Sequence, residues 1–322
     1  MTLRNALFKC LRYSGLPWLL RHTVQQRRVT LVMFHDIAPD YAERAFAFLK
    51  RAYNVIALDD YLEARRKGDS RALPPRALVI TLDDGHARNR ELLPILEKLN
   101  LPVTIFLCAG IVGTRRHFWF KYRHPDVNIG HLKTVSNAER LAALARAGFD
   151  PLREWEQPQA LDRQDIEQMR SRVNFQSHTS LHPCLPHCTD EEAWAEIAGS
   201  RQTLEQDYGL RVNALAFPNG DYNARDLALV RRAGYACAIT VDFGCNTLHT
   251  DPYRLRRLSI DDTDNEDAVC VKASGLWTFL LALLGQRRWK SPYYRPGTIV
   301  AGEDTHNSDT SFTPVSGALR RL

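Results

Sequence analysis

From Val29 onward, apolar runs of strand length alternate with stretches patterned for helix. Such alternation is the signature of a parallel sheet assembled from strand–helix units. The runs predict strands over Val29–Phe34, Ala77–Leu82, Val103–Cys108, Val173–Ser177, Asn213–Phe217, Ala236–Val241 and Leu255–Ile260. Several lie between well-signalled helices. Thr189 with Glu192 three residues on makes a capping box, opening a helix that ends near Gly209, and Asn223 caps another that stops at Gly234.

Three stretches depart from this rhythm. Between about Gly110 and Pro158 the alternation gives way to aromatic residues (Phe118, Trp119, Phe120, Tyr122) and one helical segment near Ala138–Ala147. Insertions on such scaffolds usually form loops over the active face, so substrate contacts are expected here. At the front, residues 1–28 form a basic, apolar segment in which Leu7 to Leu20 suits either a short helix packed on the domain or one lying on a membrane surface. Near the other end, Leu276 to Leu284 is strongly apolar but far shorter than the roughly 20 residues a bilayer crossing needs. Arg287, Arg288 and Lys290 follow it, and core helix and interfacial anchor both remain open for the segment 275–290. The tail from Ser291 to Leu322 is polar, rich in Gly, Pro, Ser and Thr, and is expected to be largely disordered. The remaining block, 29–274, is the expected main domain.

Composition narrows the class. Hydrophobic residues at 44% and charged residues at 25% are ordinary for a globular protein. A net charge of +6 favours an anionic partner, but the basic residues are dispersed and no nucleic-acid-binding signature accompanies them, so nucleic acid is set aside. Seven scattered cysteines lack the paired spacing of a disulfide scaffold and fit a reducing compartment. Pro17 and Arg21 interrupt the first apolar stretch and no small-residue cleavage site follows, so no signal peptide is read.

Three segments carry chemistry. Thr81-Leu82-Asp83-Asp84-Gly85 follows a predicted strand directly. Adjacent carboxylates at a strand's carboxyl end repel unless a cation or shared proton relieves them, and a metal would let one ligate while the other accepts a proton from water. A plain strand-to-turn junction is the alternative. Ser177-His178-Thr179-Ser180-Leu181-His182-Pro183 places two histidines four residues apart after another strand, where neutral imidazoles can share one ion. Pro183 disfavours helix at His182, which points to a strand-exit loop. Nearby Cys184, His187 and Cys188 suggest a rival structural zinc site, but no second ligand pair stands downstream at finger-like spacing. Ala216-Phe217-Pro218-Asn219-Gly220-Asp221 is either a plain turn or one that offers backbone N–H groups to a developing oxyanion.

Together these segments resemble the polysaccharide deacetylase family, the NodB-homology group or carbohydrate esterase family 4, over roughly Val29 to Ile260. The family's T-F-D-D-G is similar to Thr81–Gly85, and its H-[S/T]-x-x-H-P to His178–Pro183; its opening Y-H-x-[V/I] looks like Phe34-His35-Asp36-Ile37, and its Y-P-Y-G like Phe217–Gly220. The resemblance implies a distorted (β/α) barrel of about seven parallel strands that hydrolyses N-acetyl groups on amino sugars in a polysaccharide, lipid-linked or nucleotide-linked glycan. It implies Asp84, His178 and His182 as metal ligands, Asp83 as base, and the Asn219 backbone N–H as oxyanion donor. Zinc is the first expectation for the ion, although a His2Asp set also suits other first-row metals.

Two departures stand out. Many members carry an Arg in the third segment that orients the base, where this chain has Ala216; many carry a Leu-x-His near the end for the general acid, where this chain reads Leu255-Arg256-Arg257. The acid is left to His35 or His249, with a supporting or core role as the alternative for His35. The expected setting is cytoplasmic, with peripheral contact to the inner membrane face. Two rival readings stay open: an amidohydrolase acting on a non-sugar C–N bond, and a carbohydrate-binding pseudoenzyme.

Overall fold

The computed structural model describes residues 2–285 and 291–294. Its strands are β1 (Val29–Phe34), β2 (Asn54–Val55), β3 (Ala77–Leu82), β4 (Val103–Leu107), β5 (Val173–Ser177), β6 (Ala214–Ala216), β7 (Cys237–Ile239) and β8 (Leu258–Ser259). Every pairing between them is parallel, in the order β7-β6-β5-β4-β3-β1-β8, with β2 against the start of β3. Parallel strands need crossovers, and the chain supplies them as helices such as Pro39–Ala52, Asp190–Tyr208 and Ala224–Arg232.

The strand residues sort by parity. Val29, Leu31, Ala77, Val79, Phe106, Ala214, Ala216 and Ile239 pack together in one cluster. Their neighbours Val32, Phe34, Leu78, Ile80, Ile105, Phe175 and Leu215 belong to a second, larger one with helix side chains such as Phe46, Leu49 and Ile197. Burial of both faces explains why the strands read as unbroken apolar runs rather than as alternating ones.

The sheet curls until its ends meet through one segment. Leu255 donates its N–H to Ala238 O (3.0 Å) and accepts from Thr240 N–H (2.8 Å), joining β7. Three residues later Leu258 pairs with Val32, and Ile260 N–H donates to Met33 O (3.0 Å), joining β1. The run Leu255–Ile260 is therefore a seam that changes partners midway, and only two of its residues form a regular strand. The distorted barrel of seven parallel strands on one path agrees with the expected fold.

The aromatic insertion forms its own small core, with Trp119, Leu132, Leu144 and Phe149 packed on Cys184. At the front of the chain the helices Leu3–Tyr13 and Leu16–His22 lie against the helices Glu266–Ala273 and Leu276–Leu283, with Phe8 buried among Ala268, Val271 and Leu276. The expected basic flank at Arg287, Arg288 and Lys290, and the tail beyond Tyr294, lie outside the described residues.

Candidate metal centre

Strand register delivers the first carboxylates. Asp83 and Asp84 follow β3 at its carboxyl end, both almost fully buried, and Asp83 N–H still donates to Phe34 O (3.0 Å) of β1. The backbone then turns sharply, with Asp84 at φ 74° and Gly85 at φ 74°. Only glycine serves at the second position: a Cβ there would stand 2.6 Å from Leu107 Cδ2.

The histidines come from the loop after β5. Thr179 (φ 66°) and His182 (φ 56°) both take left-handed backbone, an unfavourable state for non-glycine residues that the surroundings must hold. Glu196, on the helix Asp190–Tyr208, supplies that hold, its Oε2 accepting N–H from Ser180 and from Leu181 at 2.8 Å each. From the insertion, Trp119 Nε1 donates to His182 O (2.8 Å) and the Phe120 ring lies 4.6 Å from the imidazole.

These elements bring one ligand atom each from Asp84, His178 and His182 within 4.8 Å of one another. Asp84 Oδ1 stands 3.5 Å from Nε2 of both imidazoles, and it is buried with no hydrogen-bond partner. A buried, bare carboxylate oxygen facing two ring nitrogens is suited to hold a cation. Ligands about 2.0–2.1 Å from a tetrahedral ion sit roughly 3.4 Å apart, so the spacing fits. His178 Nδ1 lies 2.8 Å from Ala216 O, an arrangement in which Nδ1–H donates to the carbonyl and Nε2 is left bare as a ligand. Burial keeps His182 neutral: loss of water pushes its pKa down to about 3, with Asp84 opposing and His178 reinforcing the shift. Burial would raise the Asp84 carboxyl, but His86, His182 and His178 outweigh it and hold it well below the ordinary range. His86 Nε2 sits 3.0 Å from the second Asp84 oxygen, and Lys121 stands behind the same ring.

Asp83 has a different partner. Arg257, fully buried on the seam, grips it through Nη1 to Oδ1 (2.6 Å) and Nη2 to Oδ2 (2.7 Å), and Nη1 also donates to Thr81 Oγ1 (3.1 Å). Burial pushes the Asp83 carboxyl up, but the guanidinium, aided by His178 and His35, outweighs it and keeps the acid ionised at neutral pH. Asp83 Oδ2 lies 3.9 Å from His178 Nε2, at the edge of the trio. The orienting arginine expected in the third segment, where Ala216 stands, thus arrives from the segment that appeared only to lack a histidine. The doubled Arg256-Arg257 in a segment of strand character marked these residues, though not the direction in which they point.

A pocket of about 450 Å³ opens over these groups, lined by His35, Asp83, Asp84, Phe120, Lys133, His178, His182 and Asn219 among others. Asn219, at φ 56°, reaches it because Gly220 packs against Val241 so closely that a Cβ would come within 2.1 Å of Cγ2. The turn after β1 that carries His35 is clamped by Asp262, whose two carboxylate oxygens accept the N–H groups of His35 and Asp36 at 2.9 Å each.

His249 is not brought to the site. It is exposed and borders a hollow with Val29 and Ala77 at the opposite, amino-terminal ends of β1 and β3. Its nearness in sequence to the seam was misleading because the chain runs back along the barrel before Leu255. The Cys184–Cys188 rival also loses support. Both thiols are buried, burial pushes Cys188 up to about 12, and among the described residues Asp84, His178 and His182 are the one cluster suited to a metal.

A trio suited to a metal, with a separately held carboxylate beside it, stands at the carboxyl mouth of a parallel barrel, where barrel enzymes place their reacting groups. Residues 70–238 match the sequence profile of the polysaccharide deacetylases, and the chain belongs to that family. YxkH of Bacillus subtilis (strain 168), a polysaccharide deacetylase-like protein, is 20% identical over 186 residues, which is 58% of this chain and 52% of that protein. The chain therefore spans about half the length of this relative. Among solved structures, the Streptococcus pyogenes deacetylase PplD in complex with acetate superposes with a TM-score of 0.56 at 17% identity, covering 76% of this chain and 98% of that one. A de-N-acetylase from Aggregatibacter actinomycetemcomitans gives 0.53 at 14% identity, covering 75% and 98%. At these identities the structures establish the shared fold.

Proposed function

We propose that the protein is a metal-dependent carbohydrate N-deacetylase, releasing acetate from an N-acetylated amino sugar in a polysaccharide, lipid-linked or nucleotide-linked glycan of cell-surface carbohydrate synthesis. The observation that carries this is the division of labour between neighbours: Asp84 faces both imidazoles with a bare oxygen, while Asp83 is held away from them by a bidentate arginine. Asp84, His178 and His182 would hold the ion, with zinc the first choice for such a set. When bound, the ion lowers the pKa of water and polarises the acyl oxygen. Asp83, ionised beside Arg257, takes the proton from the attacking water. The Asn219 backbone N–H, on the turn that lines the pocket, donates to the oxygen where negative charge develops. His35, which also lines the pocket, protonates the departing amine. The structures of a deacetylase with acetate and of a de-N-acetylase support the reaction class.

The test is acetate release from a panel of N-acetylated glycans, sugar nucleotides and lipid-linked sugars, with and without chelator. Asp83→Asn should bind metal as the parent does and release no acetate. Normal turnover by that variant would remove Asp83 as the base. The proposed setting is the cytoplasm, in keeping with seven free thiols; recovery of the native chain outside that compartment on cell fractionation would exclude it.

A further inference from the structure

The helices at the two ends of the described chain share a surface that the deacetylation chemistry leaves unexplained. Among the described residues, twelve large apolar side chains are exposed, and ten of them lie within 3–24 or 279–284. They include Leu7, Leu16, Trp18, Leu19, Phe279 and Leu283. These residues are contiguous in space, because Leu16–His22 packs on Leu276–Leu283, and between them runs an apolar groove of about 700 Å³ lined by Leu16, Leu19, Leu276 and Phe279. A face of this size on a soluble surface marks an interaction site.

Charge says what the partner is. No Asp or Glu occurs in residues 1–35 or 268–302, while residues 1–28 carry Arg4, Lys9, Arg12, Arg21, Arg27 and Arg28. Arg4 and Arg12 are spent on the domain, pairing with Asp264 (2.6 Å) and with Glu266 (2.6 Å) and Asp267 (2.8 Å), which fixes the first helix in place. Lys9, Arg27 and Arg28 are exposed. No helix among the described residues is long and apolar enough to cross a membrane. The one acid in the groove's lining, Asp242, is buried and paired with Arg254 (3.3 Å), so the face offers apolar and basic side chains, the composition of a segment that lies in the headgroup region of an anionic bilayer.

We propose that this face docks the protein on an anionic membrane surface, with Leu16, Trp18, Leu19 and Leu283 entering the interface and Lys9, Arg27 and Arg28 meeting the headgroups. The groove and the candidate metal centre are neighbours. Val241 and Ser259 line the pocket over the metal ligands, while the adjoining Asp242 and Leu258 line the groove.

The experiment is co-sedimentation of the full chain with vesicles of phosphatidylglycerol and phosphatidylethanolamine, against vesicles of phosphatidylcholine alone. It needs no substrate, so its outcome is independent of the deacetylase reading. The chain should pellet with the anionic vesicles, and less as salt is raised. Leu19→Ser combined with Leu283→Ser should abolish pelleting with no change in the unfolding midpoint. Lys9→Gln, which leaves the apolar face intact, should weaken partitioning about fivefold, the equivalent of about 1 kcal/mol per basic side chain near an anionic surface. Failure of the parent chain to pellet at low ionic strength would overturn the proposal. So would concentration-dependent dimerisation that the double variant abolishes, since a second copy would then cover the face. Pelleting only after truncation beyond Tyr294 would overturn it too, because the chain's own tail would be the occupant.

Discussion

Replacing Arg257 with Met should damage stability and chemistry together, and the two losses can be separated. The guanidinium is fully buried and makes two short bonds to a carboxylate that is itself buried. Met preserves much of the stem's volume but leaves Asp83 without its cation, and removing one partner of a buried ion pair typically costs about 3–5 kcal/mol. Part of that cost is relieved if Asp83 takes up a proton. Burial already pushes its pKa upward, and only the positive charges around it reverse the direction. In the variant burial is opposed only by His178 and His35, so the carboxyl climbs and a base needed in its ionised form is protonated over more of the acidic range. Each unit of that climb corresponds to about 1.4 kcal/mol. Denaturant unfolding of chelator-treated protein should show the destabilisation, and the acidic limb of the acetate-release profile should move to higher pH. Arg257→Lys keeps the charge but loses the two-pronged grip and should fall between the two. An unchanged midpoint together with an unshifted acidic limb in Arg257→Met would refute the assignment of this pair.

Three further outcomes follow from the same geometry. Glu196→Ala removes the acceptor for Ser180 and Leu181 and should weaken metal binding about 10–100-fold, as loss of supporting bonds around a metal site commonly does, measured by competition with a chromophoric chelator. Gly220→Ala sets a methyl group against Val241 at a left-handed backbone position and should cost roughly 1–3 kcal/mol in thermal unfolding, with the pocket turn displaced. In metal-free protein the unfolded chain protonates the residue 182 imidazole near 6.5, while the folded one resists until about 3. Stability at that position is thus lost as pH falls through this window, by at most about 1.4 kcal/mol per pH unit, and His182→Gln should flatten the dependence in urea titrations.

The parallel sheet and the candidate metal trio were legible in the sequence because each obeys a local rule. Strands buried on both faces must be apolar without interruption, and ligands must follow strand ends, so Asp84, His178 and His182 announce themselves by their place after β3 and β5. Strands were drawn past their ends at Cys108 and Val241 and begun too early at Leu255; Cys108 and Leu255 are buried as strand residues would be although they lie outside the ladder, and Val241 is half-buried. The two-residue β2 was missed, since Asn54 and Val55 carry no pattern that distinguishes them from a turn. Arg257 was hidden for a stronger reason. It sits 174 residues from Asp83, and its direction depends on how the seam closes the barrel, which no local pattern encodes. The same missing information made His249 look near when it lies at the far end.

The seam at Leu255–Ile260 ties the fate of the proton acceptor to the integrity of the wall. A few backbone bonds join the first and last strands there, and Arg257 stands in the middle of them. Fraying along that line would release the guanidinium while the rest of the cylinder stayed intact, so turnover should fade at temperatures below those of global melting. Catalytic competence in this molecule would then report on a local zipper, and hardening that zipper should extend the working range without touching a single ligand.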